Sequence, residues 1–504
     1  HGAGWGAVTR PQTMRRQLEI LSLRFKARLD SPWADRVVPW IVTAIAFLFL
    51  VGLSLSQYRS LENGTELARY TQAAWKIGSG IDPDVGVDGR HFLTQQAAVG
   101  FLPIAMVIQF FPIGPTLLVL QSAFLAAGVV PLFRIARNEA KLRVGATLTL
   151  LVAYVLYPAI HNANLANFHL ETVAPAALLG AIYNGITGRW WRFGLLVAIV
   201  LGARADLSIA VMGLGILLAT LGHRRAGLLT ILGAAAWLLM AFAVVRSAAG
   251  DGIYPHIDAF ARWGDTPWGS LWGLLTHPID VLEILFGRES FDRVVFLLAP
   301  LLFLPMMSLR YLLPIIPLEA LYLLSDIPLD QYGNPEQDMA ATAFLFTAAA
   351  FALSRAGRIR GKRTLIDPRV LGAIVLTASV FFVRDSLSTP YERPWTWGGR
   401  DASDLSRLAA IDDIPEDALV RASRTLLPAL SERPRLFELD TSENFARGEA
   451  AAAGVNVVIL DLDAAPLWSL ETVLAFSREL QRIGFDQTSA ANDILVFKRT
   501  RPPA

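Results

Sequence analysis

The sequence predicts a polytopic α-helical membrane protein that carries a small α/β domain outside the bilayer at its C-terminal end. Three observations lead there. The 504 residues are 54% hydrophobic and only 17% charged, with a mean hydropathy of +0.44, whereas soluble domains carry about 25% charged residues. Apolar runs near the roughly 20 residues needed to span a bilayer recur between residues 37 and 384. After Arg384 the pattern changes to short strand-like runs and an amphipathic helix. This composition excludes a disordered chain, a nucleic-acid binder built on a basic face and an ordinary soluble enzyme. The absence of cysteine excludes disulfides, zinc–thiolate sites, iron–sulfur clusters and cysteine nucleophiles.

The elements follow in chain order. Residues 1–36 form a polar, basic segment (Arg10, Arg15, Arg16, Arg24, Lys26, Arg28) ahead of the first apolar run. No small-residue cleavage site follows that run, so it reads as an anchor. The candidate spans are 37–57, 115–135, 143–162, 170–187, 191–204, 206–221, 226–247, 291–307, 311–325, 338–355 and 367–384. That makes about eleven crossings of hydrocarbon thickness.

Orientation follows from lysine and arginine. The basic N-terminus belongs on the cytoplasmic side of the membrane, which puts 58–114 outside. Residues 92–112 (FLTQQAAVGFLPIAMVIQFFP) decide the rest. Their glutamines and Pro103 fit a surface helix better than a span. With that segment at the surface, the basic loops 134–143, 189–192, 223–225, 310 and 355–363 all fall inside. The external parts are then 58–114, 248–290 and 385–504, and the transmembrane domain is 37–384.

The last segment opens with a Pro/Trp-rich linker (TPYERPWTWGG). Val455–Leu460 reads as a buried strand ending in Asp461 and Asp463, Leu470–Ile483 as a helix, and Ile494–Lys498 as a closing strand. No glycine-rich phosphate loop marks it as a nucleotide site.

Polar residues concentrate on the external side. Asp82, Asp84 and Asp88 form an acidic loop with His91 close by, and such carboxylates can hold Mg²⁺ or Mn²⁺. The surrounding Gly80, Pro83, Gly86 and Gly89 also explain aspartates as turn residues, so the expectation is substrate contact without a metal or other cofactor. His169 and Glu171 open the fourth span after a polar run, HNANLAN, whose backbone is expected to line a wet cavity. Interfacial capping by Asn167 or Thr172 is the competing explanation. Arg204 and Asp206 sit in a short turn between two spans, where Arg204 could clamp a phosphate or form a structural ion pair with Asp206. Arg262, Trp263, Trp268 and Trp272, with His256 and Asp258, occupy the 248–290 segment as an aromatic anchoring belt, with Arg262 beside them as a phosphate contact. Tyr332, Glu336 and Asp338 form the final outer loop. Polar residues at one face, without an inverted repeat, argue against a transporter.

Several stretches resemble the bacterial membrane family called domain of unknown function 2079, which is related to the C-type (GT-C) glycosyltransferases. They are TELARYTQAAW (65–75), RHFLTQQAAVGFLPIAMVIQFFP (90–112), LLVLQSAFLAAGVVPLFRIAR (117–137), NFHLETVAPAALLGAI (167–182), ARADLSIAVMGLGI (203–216) and VRASRTLLPALSERPRLFEL (420–439). The resemblance covers most of the chain and implies a GT-C-like fold. In the C-type enzymes an acidic residue soon after the first span is the base, which Glu66 matches here. A surface pair of Glu66 with Arg69 at i,i+3 is the alternative. The chain departs from the family pattern at Glu66, where aspartate is expected, and at Ala205, where a carboxylate is missing.

The resemblance implies transfer of a sugar from a polyprenyl-phosphate donor to an extracytoplasmic acceptor. Glu66, His169 and Glu171 are then the catalytic candidates. Asp82, Asp84, His91, Arg204, Asp206 and Arg262 are the substrate-binding ones. The implied partners are membrane lipids, the polyprenyl-phosphate sugar and a protein in a membrane complex, with no nucleic acid. The alternative is a catalytically degenerate membrane subunit or scaffold.

Overall fold

A bundle of helices packs around a buried centre, and a five-stranded sheet caps one end of it. The computed structural model describes residues 32–87, 89–249, 257–327, 335–360, 363–391, 399–441, 448–465, 468–491 and 493–500. Among the described residues, six helical segments are long and apolar enough to cross a membrane: α1 (Pro32–Arg59), α4 (Ile113–Glu139), α5 (Val144–Leu165), α9 (Arg224–Ala248), α13 (Leu304–Leu323) and α14 (Pro335–Ala356). Between α1 and α4 lie the amphipathic α2 (Thr65–Gly78), a minimal hairpin of β1 (Asp84–Val85) and β2 (Arg90–His91), and the short α3 (Phe101–Val107). Shorter apolar helices complete the first half: α6 (Ala174–Ile186), α7 (Trp190–Ala203) and α8 (Leu207–Thr220). The second half adds α10 (Pro267–Thr276), α11 (Pro278–Leu285), α12 (Arg288–Leu298) and α15 (Pro368–Asp385).

Burial sorts these helices. The central α14, α5 and α4 are mostly buried, while α1 and α9 present Trp40, Ile45, Leu48, Leu229 and Leu239 outward. An all-round apolar helix with its outer half unpartnered is what lipid contact requires. Close helix packing rests on small residues. A Cβ at Gly215 of α8 would come within 2.7 Å of the Gly227 carbonyl oxygen of α9.

One expected feature comes out differently. The runs 291–307 and 311–325 are not two straight spans. Leu302 and Phe303 both adopt left-handed φ of 52° and 53°, and the chain continues to Leu323 as 3₁₀ and α turns. Pro300, Pro305 and Pro314 each withhold a backbone donor there, so a continuous α-helix cannot form. Residues 92–112 yield a four-residue helix, α3 and one 3₁₀ turn. At 1.5 Å per residue, seven-residue α3 covers about 10 Å, far short of a bilayer.

The bundle has two distinct ends. At one, the Asp35 carboxylate near the start of α1 receives the Arg137 side chain at 2.7 Å, and Arg363 donates to the Arg137 carbonyl. The hairpin β3 (Arg358–Arg360) and β4 (Arg363–Leu365) joins this basic cluster. At the opposite end of α1, the Arg59 carbonyl accepts from Arg400 Nε (3.1 Å), where the sheet domain is docked.

That domain comprises α16 (Ala402–Asp412), β5 (Val420–Ala422), β6 (Leu436–Glu438), β7 (Val457–Asp461), α17 (Leu470–Arg482), β8 (Phe485–Ala491) and β9 (Ile494–Arg499). The sheet order is β6-β5-β7-β9-β8, parallel among β6, β5 and β7 and antiparallel around β9. Alternation in β7 explains its continuous apolar run. Val457 and Ile459 join the core shared with the helical bundle, while Val458 and Leu460 pack with Phe476 and Leu480 of α17.

Candidate functional site

The polar residues of the domain-bearing end gather around α2. Its first turn holds Glu66 in an ion pair with Arg69, and the next position, Tyr70, turns inward. The Tyr70 ring meets Phe92, Phe101 and Phe168 edge-on, with centroids 5.4, 4.9 and 4.8 Å away. Burial, and after it the nearby Glu171 and Glu66 carboxylates, holds this phenol well above its usual range.

The His169–Glu171 turn is set by Asn167, whose left-handed φ of 73° suits asparagine better than most residues. Asn167 Oδ1 accepts from Gly64 N at 2.5 Å, tying this turn to the start of α2. Gln121 clamps the other side, donating to the Asn167 carbonyl (2.6 Å) and accepting from His169 N (2.7 Å). His169 Nε2 faces the Ala166 carbonyl at 2.8 Å, which can only accept. Its Nδ1 lies 3.5 Å from Glu171 Oε1, a geometry in which a doubly protonated ring donates at both ends.

Arg204 closes the group. α7 ends at Ala203, Arg204 is extended, and the turn is pinned by Ala205 N donating to the Gln96 carbonyl (3.1 Å). The guanidinium divides between Glu171 Oε1 (3.3 Å) and Asp206 Oδ1 (2.9 Å), with Glu171 fully buried. Tyr322 OH donates to Asp206 Oδ2 at 2.9 Å. Beyond Tyr322, Arg293 of α12 bonds Glu319 Oε2 (2.7 Å) and pairs with Asp338 (3.0 Å). A chain of contacts thus runs from His169 through Glu171, Arg204 and Asp206 to Tyr322, with the Arg293–Glu319–Asp338 group beyond it. Glu171 Oε2, Glu319 Oε1 and both Asp338 oxygens are buried without a hydrogen-bond partner among the described residues.

A second feature is a cleft of about 820 Å³ beyond the other end of α2. Asp82, Asp84 and His91 line it, and His91 Nε2 lies 3.3 Å from Asp82. Lys76 reaches in from α2, donating to the Asp84 carbonyl, and burial lowers its pKa. Arg435 and Phe437 close the cleft from the sheet domain.

The sequence candidates therefore divide in three. Glu66, His169, Glu171, Arg204 and Asp206 come together around Tyr70. Asp82, Asp84 and His91 form the cleft, ten residues along α2 from Glu66 to Lys76, or about 15 Å. Arg262 joins neither group, being half-exposed and paired with Asp326. Trp268 and Trp272 project outward from α10, and Trp263 Nε1 donates to the Leu324 carbonyl (2.8 Å). Asp88, His256 and Tyr332 lie outside the described residues. Asp338 belongs to α14 and pairs with Arg293. No group of three histidines or carboxylates among the described residues is arranged to hold a metal.

The polar run HNANLAN is a correction. His161, Asn162 and Asn164 are fully buried and bonded across helices, instead of facing a wet cavity. Asn164 donates to the Leu50 carbonyl (2.9 Å), Asn162 to the Asp385 carbonyl (3.0 Å), and His161 Nδ1 meets Ser388 Oγ at 2.7 Å. These side chains act as interhelical ties.

Sequence reasoning missed Tyr70, Tyr322, Arg293 and Glu319. Arg293 carried a readable signal, a cation on the buried side of an amphipathic helix.

Fold and site together define a multi-pass membrane protein with a small α/β domain at its C-terminal end, packed over a polar centre. The family described as a predicted membrane protein (DUF2079) matches residues 57–496, and the chain belongs to it. No curated protein matches the chain.

Proposed function

We propose that this protein is a GT-C-like glycosyltransferase of the bacterial plasma membrane, transferring a sugar from a polyprenyl-phosphate donor to an extracytoplasmic acceptor. The N-terminus lies in the cytoplasm and the polar centre outside. The supporting observation is the convergence of Glu66, Arg69, His169, Glu171 and Arg204 around Tyr70 at the end of the bundle remote from the basic loops.

In the reaction, the Glu66 carboxylate takes the proton of the acceptor hydroxyl. The acceptor oxygen then bonds to the anomeric carbon as the carbon–oxygen bond to phosphate breaks, and the phosphate leaves with the electron pair. Glu66 is partly solvent-exposed and within reach of an incoming hydroxyl. Arg69 and His169 supply positive charge for the departing phosphate. Arg204, committed to Glu171 and Asp206, positions the buried carboxylate instead of clamping the donor.

The test is turnover of labelled polyprenyl-phosphate sugars by purified protein in lipid vesicles. Glu66→Gln keeps the side-chain volume and removes the base, so it should abolish transfer while the protein stays folded. Full activity in that variant overturns the assignment. A scaffold role has one observation in its favour. Glu66 is already paired with Arg69, and the Arg204 guanidinium is already taken up by Glu171 and Asp206. A wild-type protein without turnover that copurifies with one partner in fixed proportion would establish that reading.

A further inference from the structure

We propose that the cleft between the β1–β2 hairpin and the sheet domain binds a saccharide, so that the acceptor is a glycan and the C-terminal domain forms one wall of its site. This rests on the glycosyl-transfer reading and specifies its acceptor.

Size and lining carry the inference. The cleft encloses about 820 Å³, within the range of small-molecule sites. Among the described residues its charges are balanced, with Lys76, Arg90 and Arg435 against Asp82, Asp84 and Asp258. Among the described residues, no ion pair joins Arg90, Arg435, Asp84 or Asp258 to a partner. Charged groups of both signs therefore face one space with hydrogen-bonding capacity in hand. A simple anion or cation would meet as much repulsion as attraction there. A sugar hydroxyl both donates and accepts, so it satisfies carboxylates and guanidiniums together. Phe437 adds an apolar surface for the C–H face of a ring.

The two walls are held in register before any ligand arrives. Gln72 of α2 accepts from Gly86 N (3.0 Å) and donates to the Arg433 carbonyl (3.2 Å), linking hairpin and sheet domain through one side chain. Gly86 packs so closely that a Cβ there would sit 2.4 Å from the Leu436 carbonyl oxygen. A preformed cleft spares the ligand the cost of ordering its site. The Lys76 end of α2 lies in this cleft and the Glu66 end lies at the polar centre, so an extended glycan seated here can present its terminal hydroxyl toward Glu66.

The experiment is binding of full-length, detergent-purified protein to immobilised oligosaccharides: maltohexaose, cellohexaose, chitohexaose and oligogalacturonate. At least one neutral oligosaccharide should bind. Asp84→Asn and Arg435→Gln, both at exposed positions, should each weaken that binding about tenfold. Excess inorganic phosphate should not displace the sugar. Absence of binding to every neutral probe, indifference to both cleft variants, or displacement by phosphate would overturn the proposal. Sugar binding that survives in a protein without transfer activity would support the cleft and count against the enzymatic reading, so the two failures are distinguishable.

Discussion

Removing the Arg204 guanidinium is the most informative perturbation of the polar centre. Glu171 has no exposed side-chain surface, and its Oε1 lies 3.3 Å from Arg204 Nη1. Asp206 lies 2.9 Å from Arg204 Nε and is about one-fifth exposed. Arg204→Met fills a similar volume but takes the guanidinium from Glu171 and leaves it facing His169 alone. Stripping one partner from a buried pair costs about 3–5 kcal/mol, whereas removing both charges with matched volumes is often nearly neutral. The single variant should therefore lose about 3–5 kcal/mol, and Arg204→Met with Glu171→Gln should recover more than half of that loss. Unfolding by SDS in mixed micelles, followed by tryptophan fluorescence, measures both. The reasoning fails if the single variant stays within about 1 kcal/mol of wild type, or if the double variant loses the sum of the two single effects.

The remaining predictions concern the sheet domain and the cleft. Arg407 bonds Asp461 (2.9 Å), Asp404 (3.0 Å) and Asp463 (2.9 Å), and Asp461 is fully buried. Arg407→Leu should destabilise that domain by about 3–5 kcal/mol, seen as early proteolytic cleavage within residues 399–500 while the helical bundle stays intact. Lys76 titrates below its ordinary value because of burial, so on alkalinisation the folded protein releases this proton before the unfolded chain does. In that alkaline window the unfolded state binds more protons, and stability attributable to Lys76 rises with pH. The stability of wild type relative to Lys76→Met should accordingly increase from neutral pH toward the ordinary lysine range, and a flat difference would contradict the burial argument.

The sequence carried the long helices α4, α5 and α14 well, because each holds a long apolar run and adjoins a basic loop at one end. It also carried β7, β9 and α17, whose patterns are strong over five or more residues. It could not carry β5 and β6. Each has three residues, too few for alternation to register, and their pairing with β7 is a long-range event. The same holds for the bend at Leu302 and Phe303, since neither residue type signals a left-handed backbone. Local spacing identified His169 with Glu171 and Arg204 with Asp206 as pairs. Their meeting through a shared Glu171, and their continuation through Tyr322 to Arg293, depend on helices up to about 170 residues apart in the chain and leave no local trace. HNANLAN was misjudged for a related reason. Asparagine at an interhelical tie and asparagine in a wet loop are the same letter, and only the facing carbonyls distinguish them.

Native mass spectrometry of gently extracted wild-type protein tests the central claim most directly. The account predicts a bound polyprenyl phosphate, retained by Glu66→Gln and exchanged for free lipid when a polyprenyl-phosphate sugar is added to wild type. A protein partner present in fixed proportion, with no bound polyprenyl phosphate, would contradict it.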